Sequence, residues 1–198
     1  YLKFDEVEAL AQSAARAGGI LVLDEAYAAF VGQPWDTPWN TPENTLRLLD
    51  LGNVVILRSM TKSHALTSLR VGYSIAPEAV TARLASYQPD WSVNGLAQAA
   101  AQAALEDLGY AGRSLAEVAG AKRFLIDSLS GLGFNVPPAA ANFLLVQVGD
   151  APGWRDRLAR RGMFVRDCTS FGLPDFIRVG VRQMADCQRL VEAIKALL

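Results

Sequence analysis

Two short stretches hold side chains whose types and spacing could do chemistry: "LVLDEAYAAF" at 21–30 and "VVILRSMTKSHALTSLRVGY" at 54–73. The first offers a carboxylate, Asp24, and a phenol, Tyr27. The second offers two hydroxyls, Ser59 and Thr61, an amine, Lys62, and a guanidinium, Arg70. Hydroxyl and guanidinium donors suit a phosphate. A lysine amine suits a carbonyl carbon, which it attacks only when deprotonated. A carboxylate suits a ring nitrogen that must stay protonated.

The elements that must position these groups can be read from the pattern around them. Amphipathic spacing predicts a helix over about 4–17, with Leu2, Val7, Leu10, Ala11 and Ala14 roughly on one face and Gly18-Gly19 as its C-cap. A continuous apolar run at 20–23 reads as a strand covered on both faces, 54–57 as a second buried strand and 71–75 as a third, and helix–strand alternation makes the sheet mostly parallel. The stretch 32–44, "GQPWDTPWNTPEN", reads as a loop, followed by a short helix at about 43–50. Helices are expected at 77–87, in the alanine-rich "GLAQAAAQAALEDL", which is apolar nearly all round and so should be buried, and at 113–131. The texture then changes: strands in "ANFLLVQVG", "MFVR" and "FIRVGVR" alternate with helices at 152–161 and 184–198. The fold class is α/β, part of a large domain over 1–120 followed by a small α+β domain over 121–198.

Composition narrows the function classes. A hydrophobic share of 51 % against 20 % charged residues implies a packed core, and a formal charge of −1 with interspersed signs points to neither nucleic acid nor a membrane surface. No apolar run approaches the ~20 residues that span a bilayer. Cys168 and Cys187 match no zinc spacing, and with His64 the sole histidine no metal site is expected. Such cysteine usage fits a reducing, cytoplasmic setting. The sequence opens inside a helix without an initiator methionine, which suggests an absent N-terminal portion.

Ligands of open α/β sheets bind outside the carboxyl ends of the strands, where Asp24, Tyr27 and the Ser59–Lys62 loop fall. Pyridoxal phosphate presents a phosphate, a carbonyl carbon, a protonated ring nitrogen and a ring hydroxyl together, and a Schiff-base lysine with an acidic pyridinium partner is its expected signature. Ser59-Met60-Thr61-Lys62 is also a Ser-x-x-Lys pattern of serine acyl enzymes. No lysine here begins the Lys-Thr-Gly triplet those enzymes carry, and they place the serine at a helix start rather than after a buried strand.

These same stretches resemble the cofactor motifs of fold-type I pyridoxal-phosphate-dependent aminotransferases, in the histidinol-phosphate aminotransferase and threonine-phosphate decarboxylase group. The resemblance implies that Lys62 is the Schiff-base lysine, that Asp24 pairs with the pyridine nitrogen and Tyr27 reaches the ring hydroxyl. It implies that Ser59, Thr61 and Arg70 hold the cofactor phosphate. Further along, "ANFLLV", "GMFVRD" and "FIRVGVR" resemble the family's substrate-side segments, implying substrate contacts at Asn142, Arg166 and Arg178. It implies a homodimer acting on small amino-acid and 2-oxo-acid substrates, by transamination or, alternatively, by decarboxylation. It also implies an Asn-Pro-Thr-Gly-type loop and a stacking aromatic upstream of the residues given, so a non-catalytic fragment is a third reading. His64 reads as a catalytic base or a loop-packing residue, and Tyr73, Trp91 and Asn94 as pocket rim or, for the two aromatics, core or interface packing.

Overall fold

The computed structural model describes residues 2–31 and 45–198; the stretch 32–44, with Trp35 and Trp39, lies outside the described residues. The chain divides into two compact units, Tyr1–Ala111 and Gly112–Leu198. No helix among the described residues is long and apolar enough to cross a membrane.

The first unit opens with α1 (Phe4–Arg16), whose first turn is acidic and whose Glu6 carboxylate accepts the Lys3 N–H at 2.7 Å. Val7 and Ala11, one turn apart, bury its face. Leu2 and Leu10 are half exposed instead. Leu2 precedes the helix and does not share its periodicity, and Leu10 sits about 100° round the axis from Ala11. The helix stops where Gly18 takes a φ of +68°, letting the Gly19 N–H reach the Ala14 carbonyl at 2.8 Å.

Next come β1 (Leu21–Asp24), a 3-10 turn at Thr45–Leu51, β2 (Val54–Ser59), α2 (Met60–Ser63) and β3 (Gly72–Ile75). β1 and β2 pair in parallel as expected, and β3 joins the other edge of β2 antiparallel. The segment 60–71 holds only a single-turn helix and a 3-10 turn, so it turns the chain back rather than crossing over to a parallel strand. Leu21, Leu23, Val54, Ile56 and Ile75 face α1 and Leu48. Asn53 ties α1 to the sheet by donating to the Ala11 and Gly19 carbonyls at 3.0 and 3.1 Å. Among the described residues the other face of β1 is not covered: Val22 is 58 % exposed and Ile20 half exposed. Burial on both faces holds for Val54, Val55 and Ile56 of β2, but not for Leu57, which is 38 % exposed, nor for β1, where the apolar run predicts it.

α3 (Glu78–Ser86) and α4 (Gly95–Glu106) follow, the latter capped by Asn94, whose side chain accepts the Ala97 N–H at 2.9 Å. α4 differs from the sequence expectation. Ala97 is its one buried residue and Leu96 is 79 % exposed, so the apolar character of the helix is real but its burial is not provided within this unit. Trp91, in a left-handed φ of +61°, is 98 % exposed, so it does not pack into the core of the described residues.

The second unit is built from most of α5 (Tyr110–Gly131), then β4 (Phe143–Gln147), α6 (Ala151–Ala159), β5 (Arg166–Asp167), β6 (Phe176–Gly180) and α7 (Met184–Lys195). The sheet order is β4-β6-β5, all antiparallel. Strict alternation decides its faces: Leu144, Val146, Ile177 and Val179 point into a single core. Leu125, Leu129, Trp154, Leu158, Val191 and Ile194 of the three helices close over them. Each such large aliphatic contributes roughly 1.5–3 kcal/mol by leaving water. Asp150 caps α6 by accepting the Gly153 N–H at 3.0 Å.

Candidate active site

Parallel pairing of Asp24 with Leu57 makes β1 and β2 end at the same edge, with Ser59 two residues beyond. β3 arrives antiparallel with Gly72 opposite Ser59, which brings the preceding Arg70 to that edge as well. Glycine is required at 72, because a Cβ there would stand 2.6 Å from the Arg58 carbonyl oxygen. The carboxyl ends of two strands and the entry of a third thus deliver an acid, hydroxyls and a guanidinium to one place.

Asp24 is exposed, and its Oδ1 accepts the Ala26 N–H at 2.9 Å, an Asx turn that leads into Tyr27. Ser59 ends β2 and precedes α2, so its place at a helix start does not separate this chain from serine acyl enzymes; the missing Lys-Thr-Gly triplet still does. Thr61 is buried, and its hydroxyl meets that of Ser59 at 2.7 Å. Lys62 lies in α2 with its Nζ 5.6 Å from the centroid of the Tyr27 ring. This contact joins the two chemistry-bearing stretches directly. Arg70 donates to the Thr67 carbonyl at 3.2 Å and holds a left-handed φ of +53°, as Ala65 does at +56°. Left-handed non-glycine residues are strained and cluster where a loop's shape is used.

Sequence reasoning missed what holds these ends in register. Glu25, next to Asp24, accepts from Arg58, next to Ser59, at 2.8 and 2.9 Å, and also from the Thr45 hydroxyl. Both side chains of the pair are less than a tenth exposed. Two opposite charges, each one residue from a site residue on adjacent parallel strands, were the available signal.

His64 stacks on Tyr110 with ring centroids 5.4 Å apart and shares a 2.8 Å hydrogen bond between its Nδ1 and the Ser63 hydroxyl. Burial pushes its pKa below the usual histidine value, partly offset by Asp107. This is the geometry of the loop-packing reading.

In the second unit, Arg178 sits on the sheet face opposite the core, directly across from Arg166 on β5 and from Leu145 on β4. Its guanidinium lies 5.3 Å from the Phe143 ring centroid, and that of Arg166 lies 5.5 Å from Phe171 and donates to the Ser170 hydroxyl at 3.0 Å. Two like charges opposed across a ladder destabilise it unless an anion lies between them. Asn142 directly precedes β4, its carbonyl accepting the Val181 N–H at 2.9 Å. The structure therefore gathers Asp24, Tyr27, Ser59, Thr61, Lys62 and Arg70 at one sheet edge, and Arg166 with Arg178 on one sheet face.

The family of aminotransferases class I and II matches residues 1–194 of this chain. The chain belongs to that family. A histidinol-phosphate aminotransferase of Symbiobacterium thermophilum is 39 % identical over 90 % of the chain and 48 % of its own length. The crystal structure of histidinol-phosphate aminotransferase from Sinorhizobium meliloti in complex with pyridoxal-5'-phosphate is 25 % identical. It superposes with a TM-score of 0.82 over all of this chain and 54 % of that one. L-threonine-O-3-phosphate decarboxylase from Porphyromonas gingivalis, 23 % identical, shares the fold with a TM-score of 0.74 over 99 % of this chain and 59 % of that one. The chain spans about half the length of the curated relatives it matches. Class I and II aminotransferases use pyridoxal phosphate, and the donor set at the first unit's edge fits it: a hydroxyl pair and an arginine for the phosphate, and a lysine within reach of a phenol.

Proposed function

We propose that this chain is the lysine-bearing portion of a pyridoxal-phosphate-dependent aminotransferase that acts on an amino acid or amino-phosphate such as histidinol phosphate. The observation that carries the reading is Lys62 Nζ beside the Tyr27 ring, directly after the Ser59–Thr61 hydroxyl pair in the chain. The identity to histidinol-phosphate aminotransferases supports the substrate class.

When bound, pyridoxal phosphate would supply an electron-accepting ring for the electron pair left at the substrate's α-carbon. Asp24 would hold a proton at the ring nitrogen, and Tyr27 would donate to the ring hydroxyl oxygen. Ser59, Thr61 and Arg70 neutralise and orient the phosphate. Lys62 would be the attachment residue, and its free amine would take the proton from the substrate's α-carbon. Arg178 and Arg166 bind the substrate's anionic groups, and Asn142 contacts the substrate beside them. Fixing the carboxylate orients the α-carbon, which decides which of its bonds breaks. We further take the protein as a cytoplasmic homodimer; the family relation and the exposed Leu84, Tyr87, Trp91, Leu96 and Leu108 support a protein partner.

The deciding assay supplies the complete protein, with cofactor, with histidinol phosphate and 2-oxoglutarate, and separately with O-phosphothreonine. Glutamate formed from the first pair is expected. Carbon dioxide from the second instead makes the protein a decarboxylase, and neither product overturns the reading.

A further inference from the structure

The segment entering β4 is "PPAAAN", residues 137–142, which forms neither helix nor strand. Its side chains before Asn142 carry no polar atom, so its backbone carbonyls must find partners elsewhere. Three successive carbonyls, those of Ala139, Ala140 and Ala141, converge on one group, the ammonium of Lys122 on α5. The second and third of these bonds measure 3.1 and 2.9 Å. An ammonium has three donors and no acceptor, so this segment uses its full capacity. On the other side of Asn142, its own carbonyl accepts the Val181 N–H, and Phe143 pairs with Gly180. Asn142 is thus fixed from upstream by a charge and from downstream by the sheet.

We propose that Lys122 is a positioning residue: by clamping 139–141 it sets the Asn142 backbone and thereby the affinity for the amino substrate. The inference rests on the reading of Asn142 as a substrate contact. A looser support is that burial pushes the Lys122 pKa down from the usual lysine value, so the fold keeps an ammonium where its charge is penalised. A segment needing only to be packed could do so with an apolar side chain at 122, at the expense of the carbonyls.

The test compares Lys122→Met, Lys122→Arg, Asn142→Ala and the double variant Lys122→Met/Asn142→Ala in the complete cofactor-loaded protein. It reads KM for the amino substrate, kcat, the cofactor absorbance and amide exchange at Val181. Lys122→Met should raise KM about tenfold, the factor that one well-placed hydrogen bond carries. It should leave kcat and the absorbance unchanged and speed Val181 exchange, and Lys122→Arg should recover most of the loss. The double variant should be no worse than Asn142→Ala, since both act on one contact. A raised KM in Asn142→Ala with an unchanged KM in Lys122→Met overturns the positioning role and leaves the functional reading standing. An unchanged KM in both removes Asn142 from the substrate site and the inference with it. A loss of folded Lys122→Met that Lys122→Arg does not repair reduces the clamp to a purely structural one.

Discussion

The two units solve the same problem, holding charged side chains at the edge or face of a sheet, by opposite means. In the second unit one face of the β4-β6-β5 sheet is closed by three helices over a single core, and Arg166 and Arg178 stand on the other face. Their placement follows from alternation alone, because Ile177 and Val179 must point inward. In the first unit the β1-β2-β3 sheet is covered on the α1 side, while Val22 opposite remains exposed. Its site residues are held by specific polar ties: Glu25 with Arg58, Asn53 with α1, and Ser59 with Thr61. Burial places Arg166 and Arg178; a network places Asp24, Ser59 and Thr61.

If that contrast is right, Arg58→Met gives the largest loss of stability. It leaves Glu25 buried without its ion partner, which costs about 3–5 kcal/mol. Urea unfolding of the first unit should shift by that amount while the second unit's transition stays in place. A shift in the second unit, or none, breaks the contrast. A core truncation should act the other way round. Leu144→Ala, fully buried in the second unit, should cost about 2–5 kcal/mol there, whereas Val22→Ala in the first should stay within about 0.5 kcal/mol. A large loss in Val22→Ala would mean that its exposed face is covered in solution.

The smallest effect belongs to His64. Its pKa is lowered in the folded chain, so the unfolded chain binds the proton more readily. Stability contributed by the neutral ring is therefore complete above its ordinary pKa near 6.5 and declines as pH falls through that value toward the lowered one. Between pH 7.5 and 5.5 the first unit should lose stability that His64→Gln retains. A chain that is steadier at pH 5.5 than at 7.5, with the loss of that trend in His64→Gln, would reverse the sign.

Much of this was legible in the sequence, for identifiable reasons. α1, β1 and β2 are local patterns, and the positions of Asp24 at the end of β1 and Lys62 just past β2 follow from them. The direction of β3 is not local; it depends on what the 60–71 connection can span. The exposure of α4 is not local either, because apolar composition says a helix wants cover but not whether its own unit provides it. Glu25 with Arg58 and Lys122 with Ala139 join residues 33 and 17 positions apart, where no periodicity reports a contact.

Everything proposed for the first unit turns on Lys62 as the residue that carries the cofactor. The most direct measurement is to load the complete protein with pyridoxal phosphate, reduce it with borohydride and map the pyridoxyl group by peptide mass spectrometry. The label is expected on Lys62 and should be lost in Lys62→Ala. A label on Lys3, Lys122 or Lys195, or one that survives in Lys62→Ala, would contradict that role.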